Sequence, residues 1–266
     1  MYDGLNVPER IMLGRGVRAD AAAEIAALGR RVALVRSRSV AWADDLATRL
    51  AEHGCTVSEV IASGEPDLPG LLSALDEMRP AAPEVVVAVG GGSALDLGKA
   101  LAALLPAPGN PVRHFEVVGE GLPLAAPPLP FVAVPTTSGT GAEATKNAVI
   151  AMPAHRVKVS LRDDRMMARL ALVDPALTDD CPRGVTLASG LDAVVQVIEP
   201  YLSCKARPET DALCRTAIPE GLAALSALMA GPDPAARDAM ARVSLHGGIA
   251  LANAGLGAVH GLAGVL

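Results

Sequence analysis

The residues with the clearest chemical potential are glycines and hydroxyls rather than acids and bases. Gly90-Gly91-Gly92-Ser93 follows a β-branched run and opens a helical segment. Glycines let the backbone approach a bulky anion, and the first N–H groups of the helix then point at it. A diphosphate is the natural ligand of such a turn, although a tight strand-to-helix connection without a ligand would use the same residues. A second turn, Pro135-Thr136-Thr137-Ser138-Gly139-Thr140-Gly141-Ala142-Glu143, comes about 45 residues later, again behind an apolar run. Hydroxyls packed beside glycines suit hydrogen bonds to ribose, phosphate and carboxamide groups. Either turn alone would pass for a loop. Two of them, each behind a buried strand, form a specific pair.

The elements that must hold these turns alternate. Residues 31–36 (RVALVR), 55–61 and 84–89 (EVVVAV) read as strands, and 40–53, 68–78 and 94–105 as helices. Strand, helix, strand, helix predicts right-handed crossovers and a mainly parallel sheet. Residues 131–134 are another buried strand, and 158–161 and 170–173 are further candidates. After Asp174-Pro175-Ala176-Leu177-Thr178 strand signals end, and 185–202, 208–230 and 235–251 show helical spacing. The expected organisation is an α/β domain, residues 1–178, with a Rossmann-like parallel sheet, then an all-helical domain, 179–266. The apolar, uncapped end 256–266 suggests that the helical domain is truncated.

Composition narrows the function classes. Hydrophobic residues make up 51% of the 266, yet only two Phe, two Tyr and one Trp are present. The core must be aliphatic, which suits parallel strands covered by helices on both faces. A net charge of -6 offers no basic stripe for nucleic acid. Cys55, Cys181, Cys204 and Cys214 lack CxxC spacing and read as reduced thiols of a cytoplasmic protein. The N-terminal MYDGLNVPER carries charges and a proline where a signal peptide needs an apolar run. No membrane segment is expected.

Gly90-Gly91-Gly92-Ser93-Ala94-Leu95-Asp96-Leu97-Gly98-Lys99-Ala100 resembles the GGGSxxDxxKA signature of the iron-activated (group III) alcohol dehydrogenases, and the second turn resembles their PTTxGTGSE segment. The DPALT pentapeptide matches their step between domains, and the resemblance spans essentially the whole chain. It implies a dehydroquinate synthase-like architecture. It also implies cofactor contacts from Gly91, Gly92, Ser93, Asp96, Thr136, Thr137 and Thr140, with Lys158 near the nicotinamide ribose. Read from the residues alone, Asp96 and Lys99, at i and i+3, could equally be a surface ion pair.

Gly190-Leu191-Asp192-Ala193-Val194-Val195-Gln196-Val197-Ile198-Glu199-Pro200-Tyr201-Leu202-Ser203 resembles the family's metal-binding helix, GxDALxHxxExYxS. Donors four apart share one helix face. Here Asp192 keeps the first position, while Gln196 replaces histidine with a neutral carbonyl donor, weaker toward iron or zinc. Ala254–His260 resembles the segment of the second metal histidine, which assigns that role to His260. The resemblance therefore implies a site of Asp192, Gln196 and His260 for Fe2+ or Zn2+, with Asp192 and His260 catalytic. The family's last histidine would fall beyond Leu266. His53, His114, His155 and His246 match no ligand position.

The implied activity is NAD(P)-dependent hydride transfer between an alcohol and an aldehyde or ketone, with a cation polarising the substrate oxygen. Partners are then a small-molecule alcohol or carbonyl substrate, with room for a homodimer. NAD-preferring members carry Asp where this chain has Ser37, so NADP is expected to be accepted, with Arg36 or Arg38 pairing its 2′-phosphate. Three other readings stay open: a metal-free relative like maleylacetate reductase, a dehydroquinate synthase-like lyase, and a truncated nucleotide-binding module without turnover.

Overall fold

The computed structural model describes residue 2 and residues 4–263. In chain order, β1 (Arg10–Leu13) and α1 (Ala21–Leu28) lead into β2 (Arg31–Ser37), α2 (Trp42–Glu52), β3 (Thr56–Ala62) and α3 (Leu68–Met78). The chain continues through β4 (Val85–Gly90), α4 (Gly92–Leu104) and β5 (Phe131–Pro135). An antiparallel pair, β6 (Asn147–Met152) and β7 (Val157–Arg162), precedes β8 (Leu170–Val173). Four helices follow: α5 (Arg183–Tyr201), α6 (Pro208–Ala230), α7 (Pro234–Ala254) and the short α8 (Ala258–Ala263).

Six strands form one parallel sheet in the order β1-β8-β5-β4-β2-β3. Its strands are apolar on both faces because both are covered. Val32, Leu34, Val85 and Val87 pack with Ile25 of α1 and Leu46 and Leu50 of α2, and Trp42 lies against this cluster. Ala33, Val35, Val86 and Ala88 alternate to the opposite face, against Leu71 and Leu75 of α3 and Leu101 of α4. All six residues of β4 are buried, which is why its sequence is a continuous run rather than an alternation.

The chain leaves β2 through α2 toward the outer strand β3, and leaves adjacent β4 through α4 toward β5 on the other side. Open α/β sheets bind ligands beyond the carboxyl ends of strands at such a reversal. Both glycine-rich turns lie at that edge.

The five strands expected at 31–36, 55–61, 84–89, 131–134 and 170–173 are all in this sheet. The strand expected at 158–161 is not; it is part of β7 and pairs antiparallel with β6. Sequence reading missed β6, β1 and α1. The four-residue RIML of β1 is too short for a periodic signal, and α1 is an alanine-rich segment with no side-chain cap. Asp174 is buried where the sheet gives way to helices, accepting the N–H groups of Gly16 at 3.0 Å and Ala176 at 3.0 Å.

Helices α5, α6 and α7 pack on one another through Val197, Cys214, Leu225 and Val243. Leu245 and Ile249 of α7 reach across to Ala171 and Val173 of β8, so helices and sheet share an apolar contact. Against the expectation of no membrane-length segment, α6 is long and apolar enough to cross a bilayer by length and composition. It is packed against α5 and α7 and carries Glu209, Asp211, Arg215 and Glu220. All four cysteines are free. Of the apolar end 256–266, residues 264–266 lie outside the described residues.

Candidate active-site cleft

Register places the two turns side by side. Gly90 of β4 pairs with Pro135 of β5, and the Thr136 N–H donates to the Gly90 carbonyl at 2.9 Å. Gly91 caps α4 without any side-chain hydrogen bond to the first turn, which leaves the leading N–H groups for a ligand. The threonine turn closes over them. A Cβ added to Gly92 would stand 2.9 Å from Cγ2 of Thr140, and one at Gly91 would stand 3.3 Å from Oγ1 of Thr137. A backbone cradle roofed by hydroxyls fits a diphosphate. Ser37, at the end of β2, leans against Gly90 on the same edge.

Lys99 fastens the second turn from below. It is 1% exposed, and its Nζ donates to the Ala142 carbonyl (2.7 Å), Thr145 Oγ1 (2.7 Å) and the Asn147 carbonyl (2.8 Å). Burial pulls the ammonium down to about 8, while Asp96 and Glu143 hold it up. Three acceptors need three donors, and only the charged ammonium has them. Lys99 is thus a buried post and not half of a surface ion pair. Asp96 turns outward to the cleft and accepts the Val149 N–H at 3.1 Å.

Glu143 is also buried, at 2% exposure, and burial pushes its carboxyl from 4.5 up to about 7 against its backbone hydrogen bond and Lys99. A carboxyl raised in the folded state contributes stability that is complete below its unfolded value and is lost as pH rises through its folded value. The melting temperature should therefore fall from pH 4.5 to about 7 through this group. Glu143→Gln should flatten that part of the profile, and thermal melts across the window check it; an unchanged slope would remove Glu143 as its source.

The far wall belongs to the helices. A cleft of about 380 Å³ is bounded by Asp96, Thr140, Asn147, Asp192, Gln196 and His260, among others. His260 Nε2 lies 3.0 Å from Asp192 Oδ1, and its Nδ1 lies 2.5 Å from Glu199 Oε2. The bond from Asp192 raises the imidazole's pKa above its usual value against the opposing effect of burial, and Glu199 adds to the rise. Glu199 also accepts the Val259 N–H at 2.6 Å, tying α8 to α5. Gln196 is buried and donates its amide N–H to the Thr140 carbonyl at 2.5 Å.

Most of the expected residues converge here, and some do not. Gly91, Gly92, Thr137 and Thr140 form the cradle, with Ser93 in the first turn of α4 and Thr136 joined to Gly90 through its backbone, and Asp192, Gln196 and His260 face one cleft. Lys158 stands apart: exposed on β7, its Nζ is 2.7 Å from Glu65 Oε1. Arg36 is not free for a 2′-phosphate, because its guanidinium is buried between Asp44 and Glu59; Arg38 is exposed. His114 is buried, with Nδ1 3.1 Å from the Leu122 carbonyl. Two residues were missed. Asn147 Oδ1 is buried without a partner in the cleft wall, and nothing in its sequence context marks it. Glu199 was findable, since it lies seven residues, two helical turns, after Asp192 on the same face.

Comparison with known proteins decides the family. The description "Iron-containing alcohol dehydrogenase" matches residues 8–175, and "Fe-containing alcohol dehydrogenase family, C-terminal" matches residues 186–266. The chain belongs to the iron-containing alcohol dehydrogenase family. It is 32% identical over 265 residues to the NAD-dependent methanol dehydrogenase of Bacillus methanolicus, covering 96% of this chain and 68% of that protein. It is 39% identical over 201 residues to "Probable alcohol dehydrogenase EutG" of Salmonella typhimurium, covering 75% of this chain and 50% of that one. The alcohol dehydrogenase structure from Oenococcus oeni superposes with a TM-score of 0.91 at 28% identity, over 99% of this chain and 70% of that one. The fold is that of the iron-containing alcohol dehydrogenases, the dehydroquinate synthase-like architecture the motifs implied. The chain thus spans about two thirds of the first relative's length and half of the second's.

The cradle offers the donors a diphosphate needs, whereas the described residues of the cleft offer a cation fewer ligands than it needs. Both ring nitrogens of His260 face carboxylates, and Gln196, whose amide N–H goes to Thr140, offers only a neutral carbonyl oxygen. Among the described residues no three His, Cys, Asp or Glu side chains form a group able to hold an ion. Iron and zinc centres take four or more ligands with imidazole or charged oxygen among them. Asp192, Gln196 and His260 alone fall short of that.

Proposed function

We propose that the chain comprises a dinucleotide-binding domain, residues 1–178, and a helical segment, residues 179–266, of an NAD(P)-dependent cytoplasmic enzyme that interconverts an alcohol and an aldehyde or ketone. The observation that carries this is the register of Gly90 with Pro135, which sets an uncapped helix N-terminus under a threonine roof at the sheet's reversal point. Similarity to an NAD-dependent methanol dehydrogenase supports a small alcohol as substrate.

A bound nicotinamide dinucleotide supplies the site that gives or takes the hydride. The leading N–H groups of α4 bind its diphosphate, and the hydroxyls of Thr137 and Thr140 hold it from above. The orphaned Asn147 Oδ1 accepts a hydrogen bond from a ligand N–H or O–H in the cleft. Alcohol oxidation sends a hydride to the cofactor and a proton to the protein. Asp192 Oδ1 and His260 Nε2, 3.0 Å apart on the cleft wall, are placed to take that proton. With a neutral amide at Gln196 where the family motif has imidazole, this pair favours metal-independent proton transfer, as in a maleylacetate reductase-like relative.

The test uses the full chain. Fluorescence titration should show NADH or NADPH binding, and turnover should be seen with short alcohols. Asp192→Asn should keep cofactor binding and lose about 100-fold in kcat, the size of a general-base effect. Failure of the unmodified chain to bind either reduced cofactor would sink the reading.

A further inference from the structure

Gln196 stands where the family motif puts a metal histidine, yet its contacts run in another direction. It is 2% exposed, and its Nε2 donates to the Thr140 carbonyl at 2.5 Å across the boundary between α5 and the threonine turn. Thr140 is the residue whose methyl and hydroxyl lie directly over Gly92 at the start of α4. Its Oγ1 also accepts the Ala142 N–H at 3.3 Å. One amide bond therefore fixes the peptide on which the roof of the diphosphate cradle is mounted.

The rest of the turn is clamped to the same helices. The Gly139 N–H donates to Ser244 Oγ of α7 at 2.9 Å. Gly141 has φ of +57°, and a Cβ there would stand 2.4 Å from the Ser244 carbonyl oxygen, so only glycine lets the turn come this close. Behind Gln196, Gly247 of α7 leaves room for its side chain, a Cβ there meeting Gln196 Cγ at 3.4 Å. The glutamine is thus held on both sides, with its N–H aimed at one acceptor.

We infer that Gln196 is a positioning residue for the cofactor: it orients Thr140 over the α4 N-terminus and so joins the helical segment to the diphosphate cradle. A carbonyl acceptor needs a donor, and the amide N–H of Gln196 supplies it whatever its Oε1 does. The inference rests on the dinucleotide reading above.

Titration with NADH and with ADP-ribose tests it, beside thermal melts. Gln196→Met keeps the side-chain length and removes the donor, and Gln196→Glu keeps the shape and sets a carboxylate against the Thr140 carbonyl. Both variants should weaken both ligands about tenfold at a temperature where the melts show them folded, with melting temperatures lowered only by the loss of one buried hydrogen bond. Thr140→Val should weaken them to a similar degree, and Gln196→Met added to Thr140→Val should cost nothing more, since both act through one group. Wild-type affinity in either folded Gln196 variant, or an undiminished Gln196→Met effect in the Thr140→Val background, would overturn this inference alone. A wild-type chain that binds neither ligand would overturn the dinucleotide reading and this one with it.

Discussion

Gly92→Val should raise the dissociation constant for NADH at least tenfold, about 1.4 kcal/mol of lost binding. The first carbon of the new side chain would already stand 2.9 Å from Thr140 Cγ2 and 3.0 Å from its Oγ1, inside contact distance. The two further methyls must then displace the threonine or fill the space above the helix N-terminus. Either outcome removes donors that a diphosphate needs. By helix propensity valine is no worse than glycine, so the cost to the fold is that of shifting Thr140, on the order of 1–3 kcal/mol, which a domain of this size survives. Gly91→Val should act more weakly, because its Cβ meets Thr137 at 3.3 Å and the neighbour has less to give up. Fluorescence titration reads the effect, and equal affinities for wild type and Gly92→Val would remove the anion cradle.

The largest effect on stability should come from Lys99→Met, on the order of 3–5 kcal/mol. Methionine fills similar volume but leaves the Ala142 and Asn147 carbonyls and Thr145 Oγ1 without their donor in a buried site. Removing the ammonium also takes away the charge that opposes the burial of Asp96 and Glu143. Urea unfolding followed by far-UV circular dichroism should show a lower midpoint with an unchanged slope. A loss under about 1 kcal/mol would mean that the buried post is replaceable by packing alone.

The parts of this molecule that were legible in the sequence are those whose physics is local. A strand covered on both faces must be apolar throughout, so 84–89 announced β4, and glycines at its end announced a turn with an anion's room. The 3.6-residue spacing of 185–251 announced three helices. Contacts made across long sequence separations were not legible. Lys99 looked like a surface partner of Asp96 because helix spacing is visible in a sequence and the Ala142–Asn147 backbone folding over it is not. Gln196 carried only its place in the ligand motif, because motif position says nothing about a carbonyl 56 residues away. Arg36 looked free because neither Asp44 nor Glu59 is placed by periodicity. Glu199 alone among the missed contacts carried a visible signal, in its position two turns after Asp192.

The aliphatic core has an optical consequence. Trp42, the only tryptophan in the chain, starts α2 just beyond the carboxyl end of β2, half-buried against the core beneath the sheet. Indole emission overlaps the absorption band of a reduced nicotinamide ring, and a chain of this size has a radius of gyration of about 18 Å. Every point in the cleft thus lies within reach of resonance energy transfer from one known donor. Oxidised cofactor lacks that band. The fold thereby carries an internal ruler that separates arrival of the dinucleotide from its reduction, with no label added and no second tryptophan to confuse the distance.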